Sequence, residues 1–293
     1  MMKISAFVTT FNRLELLKKV IAGLCAQTYP IQNLTIINNS SEDGTIEWLE
    51  SEGLAYITQP NVGSSGGQYR AVSEGVKMDT DYIWIMDDDV IPTPTCLENL
   101  IKHASPNRII APLRWGSDGQ VFENEPIRLN MSNPFKSIWG KIIDKSMASM
   151  DFIPAEGLTF EGPLMPRALA EKIGPPEFSF FIHADDTEYM LRARAAGAEM
   201  GLVPSARLDR MLAAPDINKE FSWKHYYIIR NIIALDILHG NAAVRMMRPF
   251  FYLQAWLRRA NNSDDRRTAM KAFRDGYTFK RLSRQEIEKK LEI

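Results

Sequence analysis

Three consecutive carboxylates, Asp87-Asp88-Asp89, close the apolar run Tyr82-Ile83-Trp84-Ile85-Met86, and Pro92 and Pro94 follow shortly after. A short run rich in aromatic and β-branched residues reads as a buried strand, which the prolines stop. Acids at a buried strand end repel one another and lose hydration, so a cation belongs beside them. Alternation along a strand puts Asp87 and Asp89 on one side and Asp88 on the other. Two carboxylates on one side can chelate a hard divalent ion, which can in turn hold a diphosphate. A solvated acidic turn is the plainer alternative. A second acidic group, Asp185-Asp186 followed by Glu188, opens a helix. The helix dipole favours acids there, and Asp185 alone meets that need, which leaves Asp186 for chemistry. The lone His183 beside them reads as a hydrogen-bonded structural group or a substrate contact.

The elements that must position these acids alternate. Strands over 3–10, 34–37, 55–58 and 82–87 are separated by helical patterns, with Asn12 as N-cap of the first helix and Asp43 or Ser41 as cap of the second. A glycine-rich loop, 60–67, leads into a helix over 68–77. Four such alternations with short links predict a parallel sheet covered on both faces, with ligands at the carboxyl ends of its strands. Residues 9–13, 38–43, 61–67 and 87–89 all fall at that edge. A helix over 96–103 and a strand over 108–111 follow. The stretch 113–150, rich in Gly, Asn and Pro, reads either as a substrate loop or lid or as extra strands. Strands near 152 and over 200–203, a turn region over 205–214, and helices over 220–238, 242–259, 266–275 and 283–291 complete the chain.

At 293 residues, 45% hydrophobic and 24% charged, the composition is that of a globular protein. Cys25 and Cys96 fit no metal spacing and read as reduced core thiols. Met1-Met2-Lys3 runs straight into a strand, so no secretory signal is expected, and no apolar run reaches the length of a membrane span. Net charge is −1, yet from Trp223 onward 15 Lys and Arg face 7 Asp and Glu. Residues 244–259 mix aromatics with arginines. They suit an anionic membrane surface, or else packing on the catalytic domain or another subunit. No nucleic-acid motif is present.

In this order and spacing, several motifs resemble the family 2 glycosyltransferases of the GT-A fold, in particular their galactofuranosyl- and rhamnosyltransferase-like branch. They are Val8-Thr9-Thr10-Phe11-Asn12-Arg13, Asn38-Asn39-Ser40-Ser41-Glu42-Asp43-Gly44-Thr45, Asn61-Val62-Gly63-Ser64-Ser65-Gly66-Gly67, Trp84-Ile85-Met86-Asp87-Asp88-Asp89, Phe160-Glu161-Gly162, His183-Ala184-Asp185-Asp186-Thr187-Glu188-Tyr189 and Tyr226-Tyr227-Ile228-Ile229-Arg230-Asn231. The resemblance implies a mostly parallel, Rossmann-like GT-A catalytic domain over 1–215 and a basic helical extension over 216–293.

It further implies that Thr9, Thr10, Arg13, Asn38 and Asp88 line a nucleotide pocket. Gly63, Gly66 and Gly67 would let the backbone approach the nucleoside and sugar. Asp87 and Asp89 would hold Mn²⁺ or Mg²⁺ at the diphosphate. Asp186 would be the base of an inverting displacement, with Asp185 orienting the acceptor. Relatives carry a His after the last strand as a further metal ligand, whereas this chain reads Arg207-Leu208-Asp209-Arg210. Either Asp209 supplies an oxygen ligand or Arg210 replaces metal charge. His183, Glu188 and Trp115 are candidate acceptor contacts.

The implied donor is UDP-galactofuranose, or dTDP-rhamnose as second choice. The implied acceptor is an oligosaccharide or polyprenyl-linked glycan, met in the cytoplasm or at the inner face of the plasma membrane. Self-association through the C-terminal helices is a further expectation. Two other classes compete. Asp87-Asp88-Asp89-Val90 also fits the nucleophile motif of haloacid-dehalogenase-like phosphatases, and the missing His fits a non-catalytic sugar-nucleotide-binding protein.

Overall fold

The computed structural model describes residues 1–123, 125–213 and 221–292. Strand β1 (Ile4–Thr10) is buried along its whole length and lies between β2 (Asn33–Asn38) and β4 (Tyr82–Asp87), parallel to both. β3 (Ala55–Thr58) forms one edge of the sheet. Beyond β4 come β8 (Leu164–Pro166), β6 (Arg108–Trp115), β9 (Glu199–Arg210) and β5 (Val90–Pro92), with β7 (Ile153–Pro154) paired to β9. β8 runs antiparallel to β4, so the sheet is mixed beyond its first four strands.

Both faces of the sheet are covered, because alternate residues of the central strands point to opposite sides. Phe7, Ile37, Ile83 and Ile85 pack with residues of α3 (Gly63–Gly75), α5 (Arg167–Ile173) and α6 (Asp185–Ala195). Ala6, Val8, Ile36, Trp84 and Met86 pack with α1 (Leu14–Cys25), α2 (Thr45–Ser51) and α4 (Cys96–Lys102). A third core joins α7 (Trp223–His239), α8 (Ala242–Arg259) and α9 (Ser263–Tyr277) to Leu129, Met131, Ile138, Phe180 and Leu191. The C-terminal helices, ending in α10 (Arg284–Leu291), thus share apolar packing with the sheet domain. The expected boundary at 215/216, the end of the expected turn at 214 and the expected helix start at 220 lie outside the described residues.

Several local expectations are corrected. The glycine stretch is the beginning of α3, which starts at Gly63 and not near 68. Residues expected to turn after 204 continue β9 to Arg210. A register shift against β6, between Pro112 and Leu113, absorbs Pro204-Ser205-Ala206 and lets pairing resume at Arg207. Asn12 does not cap α1. Its own φ is positive, and the Leu14 amide instead donates to Asp43 Oδ2 at 2.8 Å, across from the next loop. Residues 116–123 and 125–150 form isolated bridges, such as Leu129 with Trp139, and a 3₁₀ turn at Lys145–Ser149.

Candidate active site

The carboxyl ends of β1 and β4 are tied together through Asp88. Its carboxylate accepts from the Thr10 hydroxyl at 2.7 Å and from the Arg13 guanidinium at 2.9 Å, and it is almost fully buried. Arg13 also reaches Asp89 at 3.2 Å. Asp87 and Asp89 keep partial exposure, but β4 ends at Asp87 and the turn after it brings Asp88 and Asp89 to the same Arg13 nitrogen, so the expected alternation stops with the strand. Asp87 accepts from Gln68 Nε2 at 2.9 Å. Burial, then the charges of Asp89, Glu161, Asp88 and Asp185, push its carboxyl well above the usual range. Burial and Glu161 raise Asp89 as well, against the pull of Arg13 and Arg210.

The second group meets the first. Asp185 is pushed up to about 7 by burial and by its neighbour Asp186. Asp186 is pushed up to about 6 by burial, partly offset by hydrogen bonds from the Thr187 amide and hydroxyl and by the Arg114 charge, while Glu161 acts upward. Asp185 therefore feels Asp87, and Glu161 acts on Asp87, Asp89 and Asp186 alike. No side-chain cap bond is made at the start of α6. Ala184, in the left-handed region, is the N-cap residue, and the acids that follow accept first-turn amides, Asp186 that of Thr187.

Residues given no role from sequence, apart from Arg210, which was expected to replace metal charge, complete the arrangement. Glu161 accepts from both Arg114, at 2.9 Å, and Arg210, and Arg114 also bonds buried Glu125 at 3.1 Å. The Phe122 ring carries both guanidinium groups, at 4.7 and 4.4 Å. Phe160-Glu161-Gly162 was legible as a motif, but the arginines that grip it come from distant strands. Gln68 was signalled only by its place after three glycines. Its buried Oε1 has no partner.

Other expected residues are placed elsewhere. Gly63, Gly66 and Gly67 make room for protein. A Cβ at these positions would lie 2.0 Å from the Phe181 carbonyl, 2.3 Å from Val62 and 2.2 Å from the Thr9 methyl. They let α3 seat against β1 and the 178–184 loop, and they do not open a path to a ligand. Thr9 packs into that contact. Asn38 is fully buried, its Oδ1 accepting from the Ser41 amide and its Nδ2 donating to Thr58, so its amide holds a turn.

Asp209 bonds Arg207, which in turn lies over the Trp115 ring at 4.5 Å. Arg207 thus occupies both Asp209 and Trp115, while Arg114 and Arg210 hold Glu161. Glu188 is fully buried between Arg192, His239 and Arg281, which makes it a structural hub and not an acceptor contact. His183, held neutral with its pKa lowered to about 4 mainly by burial, lines a cavity beside α7 and α8. Among the described residues, no three His, Cys, Asp or Glu side chains are grouped to hold a metal ion. Asp87 and Asp89 still offer hard oxygens whose charge is incompletely neutralised, and that donor chemistry fits Mn²⁺ or Mg²⁺.

Known proteins resemble this chain in sequence and in fold. A family model described as glycosyl transferase family 2 matches residues 5–174. The galactofuranosyltransferase GlfT2 of Mycolicibacterium smegmatis is 28% identical over 223 residues, covering 65% of this chain and 32% of that protein. GlfT1 of the same organism is 23% identical over 209 residues, covering 68% and 67%. The chain thus spans about a third of the first relative's length. Among solved structures, GalNAc-T7 with UDP, GalNAc and Mn²⁺ superposes with a TM-score of 0.63 at 11% identity, over 100% of this chain and 57% of that one. S. aureus TarS in complex with UDP gives 0.57 at 14%, over 99% and 83%. These likenesses establish the GT-A fold.

Proposed function

The chain belongs to glycosyl transferase family 2, and from that premise we propose that it transfers galactofuranose from UDP-galactofuranose to a hydroxyl of a bacterial surface glycan, with inversion. The observation that carries this reading is the convergence of two acidic groups with different surroundings at one sheet edge. The two galactofuranosyltransferase relatives support the choice of sugar.

Arg13, fixed by Asp88, presents a guanidinium at the end of β1 for the donor's phosphates. Asp87 and Asp89 would hold Mn²⁺ or Mg²⁺, which when bound supplies Lewis-acid neutralisation of the departing diphosphate. Asp186 accepts the proton of the acceptor hydroxyl as that oxygen bonds to the anomeric carbon and the bond to the diphosphate breaks. Its raised pKa makes it a stronger base than an exposed aspartate, while leaving it ionised at neutral pH. Asp185, beside it, orients the acceptor. One displacement from the side opposite the leaving group inverts the anomeric centre.

No described helix is long and apolar enough to cross a membrane. The outer face of α8 exposes Met246, Phe250 and Phe251 beside Arg245 and Arg258, while Trp256 is buried inward. That face suits peripheral binding to anionic lipid, which liposome flotation at low salt tests. The functional reading is tested by a thermal-shift screen of nucleotide sugars with and without Mn²⁺, followed by transfer assays. UDP-galactofuranose should raise the melting temperature most by mass action. Stabilisation by dTDP-rhamnose alone overturns the choice of donor.

A further inference from the structure

The far end of the chain is fastened to the turn that carries the second acidic group. Phe279 meets Phe180 edge to face at 5.3 Å, and the Leu282 amide donates to the Ser179 hydroxyl at 3.3 Å. Ile287 and Leu291 of α10 pack with Phe178. Between these contacts stands Arg281. Its Nε lies 3.1 Å from Glu177 Oε2, and its Nη2 lies 2.6 Å from Glu188 Oε1. Glu177 comes just before the turn, and Glu188 comes just after Asp185 and Asp186. One guanidinium therefore spans both ends of the segment that bears the two acids.

The segment needs holding. Phe181, His183 and Ala184 all have positive φ. At Phe181, with φ 65° and ψ −56°, the Ile182 amide donates back to the Phe180 carbonyl at 2.7 Å, which is the strained form of a three-residue turn. Such a backbone persists only where its surroundings over-determine it. Asn231 of α7 grips the middle through the carbonyls of Phe180, Ile182 and His183. The ends are gripped by charge. Glu177 and Glu188 are both buried, so each carboxylate is bound to keep its cation. Arg192 and His239 also hold Glu188, and Arg281 alone among the three joins it to Glu177.

We propose that Arg281 is a positioning residue for the transfer: by clasping Glu177 to Glu188 it keeps the strained turn closed and sets the place of Asp186. The proposal rests on the functional reading above and deepens it. Arg281 acts through the two glutamates. Arg13, Asp87 and Asp89 make none of their bonds to this clasp, so its loss separates proton removal from donor binding.

The test uses the full chain. Arg281→Gln should lower kcat about 10–100-fold, the effect of a shift of about 1 Å at a reacting group, while the donor KM and the donor-induced thermal shift stay within about twofold. Glu177→Gln frees the other end of the span, leaves Glu188 paired and should act in the same direction. Arg281→Lys keeps the charge without the fork that reaches two carboxylates, so it should restore melting temperature more fully than kcat. Arg284→Ala, three residues on but bonded to Glu288 within α10, should leave kcat unchanged. Hydrogen exchange, read without any sugar, should show amides of 178–188 losing protection in Arg281→Gln while those of β1 keep theirs. Unchanged exchange in 178–188, unchanged kcat, or a donor KM that worsens in step with kcat overturns the proposal. So does full recovery of kcat by Arg281→Lys. A wild-type protein that transfers no sugar sinks the functional reading, and the exchange result then decides by itself whether Arg281 clasps the turn.

Discussion

The two acidic groups are built on opposite principles. Asp87-Asp88-Asp89 ends a strand, and arginines from other elements come to it: Arg13 bonds Asp88 and Asp89, and the Arg210 charge bears on Asp89. Asp185-Asp186 opens a helix deeper in the fold, where Asp186 takes hydrogen bonds from Thr187 and the nearest charge relief is Arg114. Burial and mutual repulsion lift the first group as well, Asp87 well above the usual range, and Arg13 and Arg210 offset this only in part, so an arriving divalent cation relieves it. Carboxylates lifted into the range of about 6 to 7 suit the taking of a proton. The same side chain is thus steered to charge binding in one place and to base chemistry in the other.

Substitutions can break that contrast. Asp186→Asn should lower transfer about 10²–10⁴-fold while donor-induced thermal stabilisation persists, because only the proton acceptor is lost. Loss of the thermal shift with it would merge the two groups into one binding site. Asp87→Asn should lower transfer by about a hundredfold or more and abolish any stimulation by added Mn²⁺, as titrations of the ion against initial rate will show. Arg13→Ala removes the cation beside Asp88 but leaves its Thr10 bond, and the guanidinium is 42% exposed, so denaturant unfolding should reveal a loss of about 1–2 kcal/mol, with weaker donor binding.

The pH behaviour sharpens the comparison. A base raised to about 6 must be ionised to work, so kcat/KM should climb from pH 5 to 7 and then level off. The neighbouring Asp185 gives an effect of similar size on the fold. Its raised pKa favours folding while it is protonated at low pH, and that contribution disappears as pH rises through about 7. Asp185→Asn should therefore stabilise the fold by on the order of 2 kcal/mol at pH 8 and by little at pH 4, read from melting curves at the two values.

The first group was legible as a strand end, because the apolar run stops at Asp87, but the sides of Asp88 and Asp89 were not, since both lie in the turn after β4 and share Arg13. The order of the first four strands and their helices followed from hydrophobic periodicity. What failed depended on contacts distant in the chain. The three glycines announce close approach but not what approaches, and it proved to be Thr9, Val62 and Phe181. Asp209 and Arg210 are neighbours of opposite parity. Once β9 extends through both, only Arg210 can meet Glu161, and the extension was hidden by Pro204-Ser205. Glu188, beside two chemically active acids, gave no sign that Arg192, His239 and Arg281 would enclose it.

Asn231 lies far beyond the stretch the family model matches, yet its one amide grips three carbonyls in the turn that delivers the proton acceptor. A shortened protein ending before α7 would keep every strand and both acidic groups. It would lose the brace that aims Asp185 and Asp186 and would bare the apolar sides of Phe180 and Leu191, so the acids alone do not define the working unit.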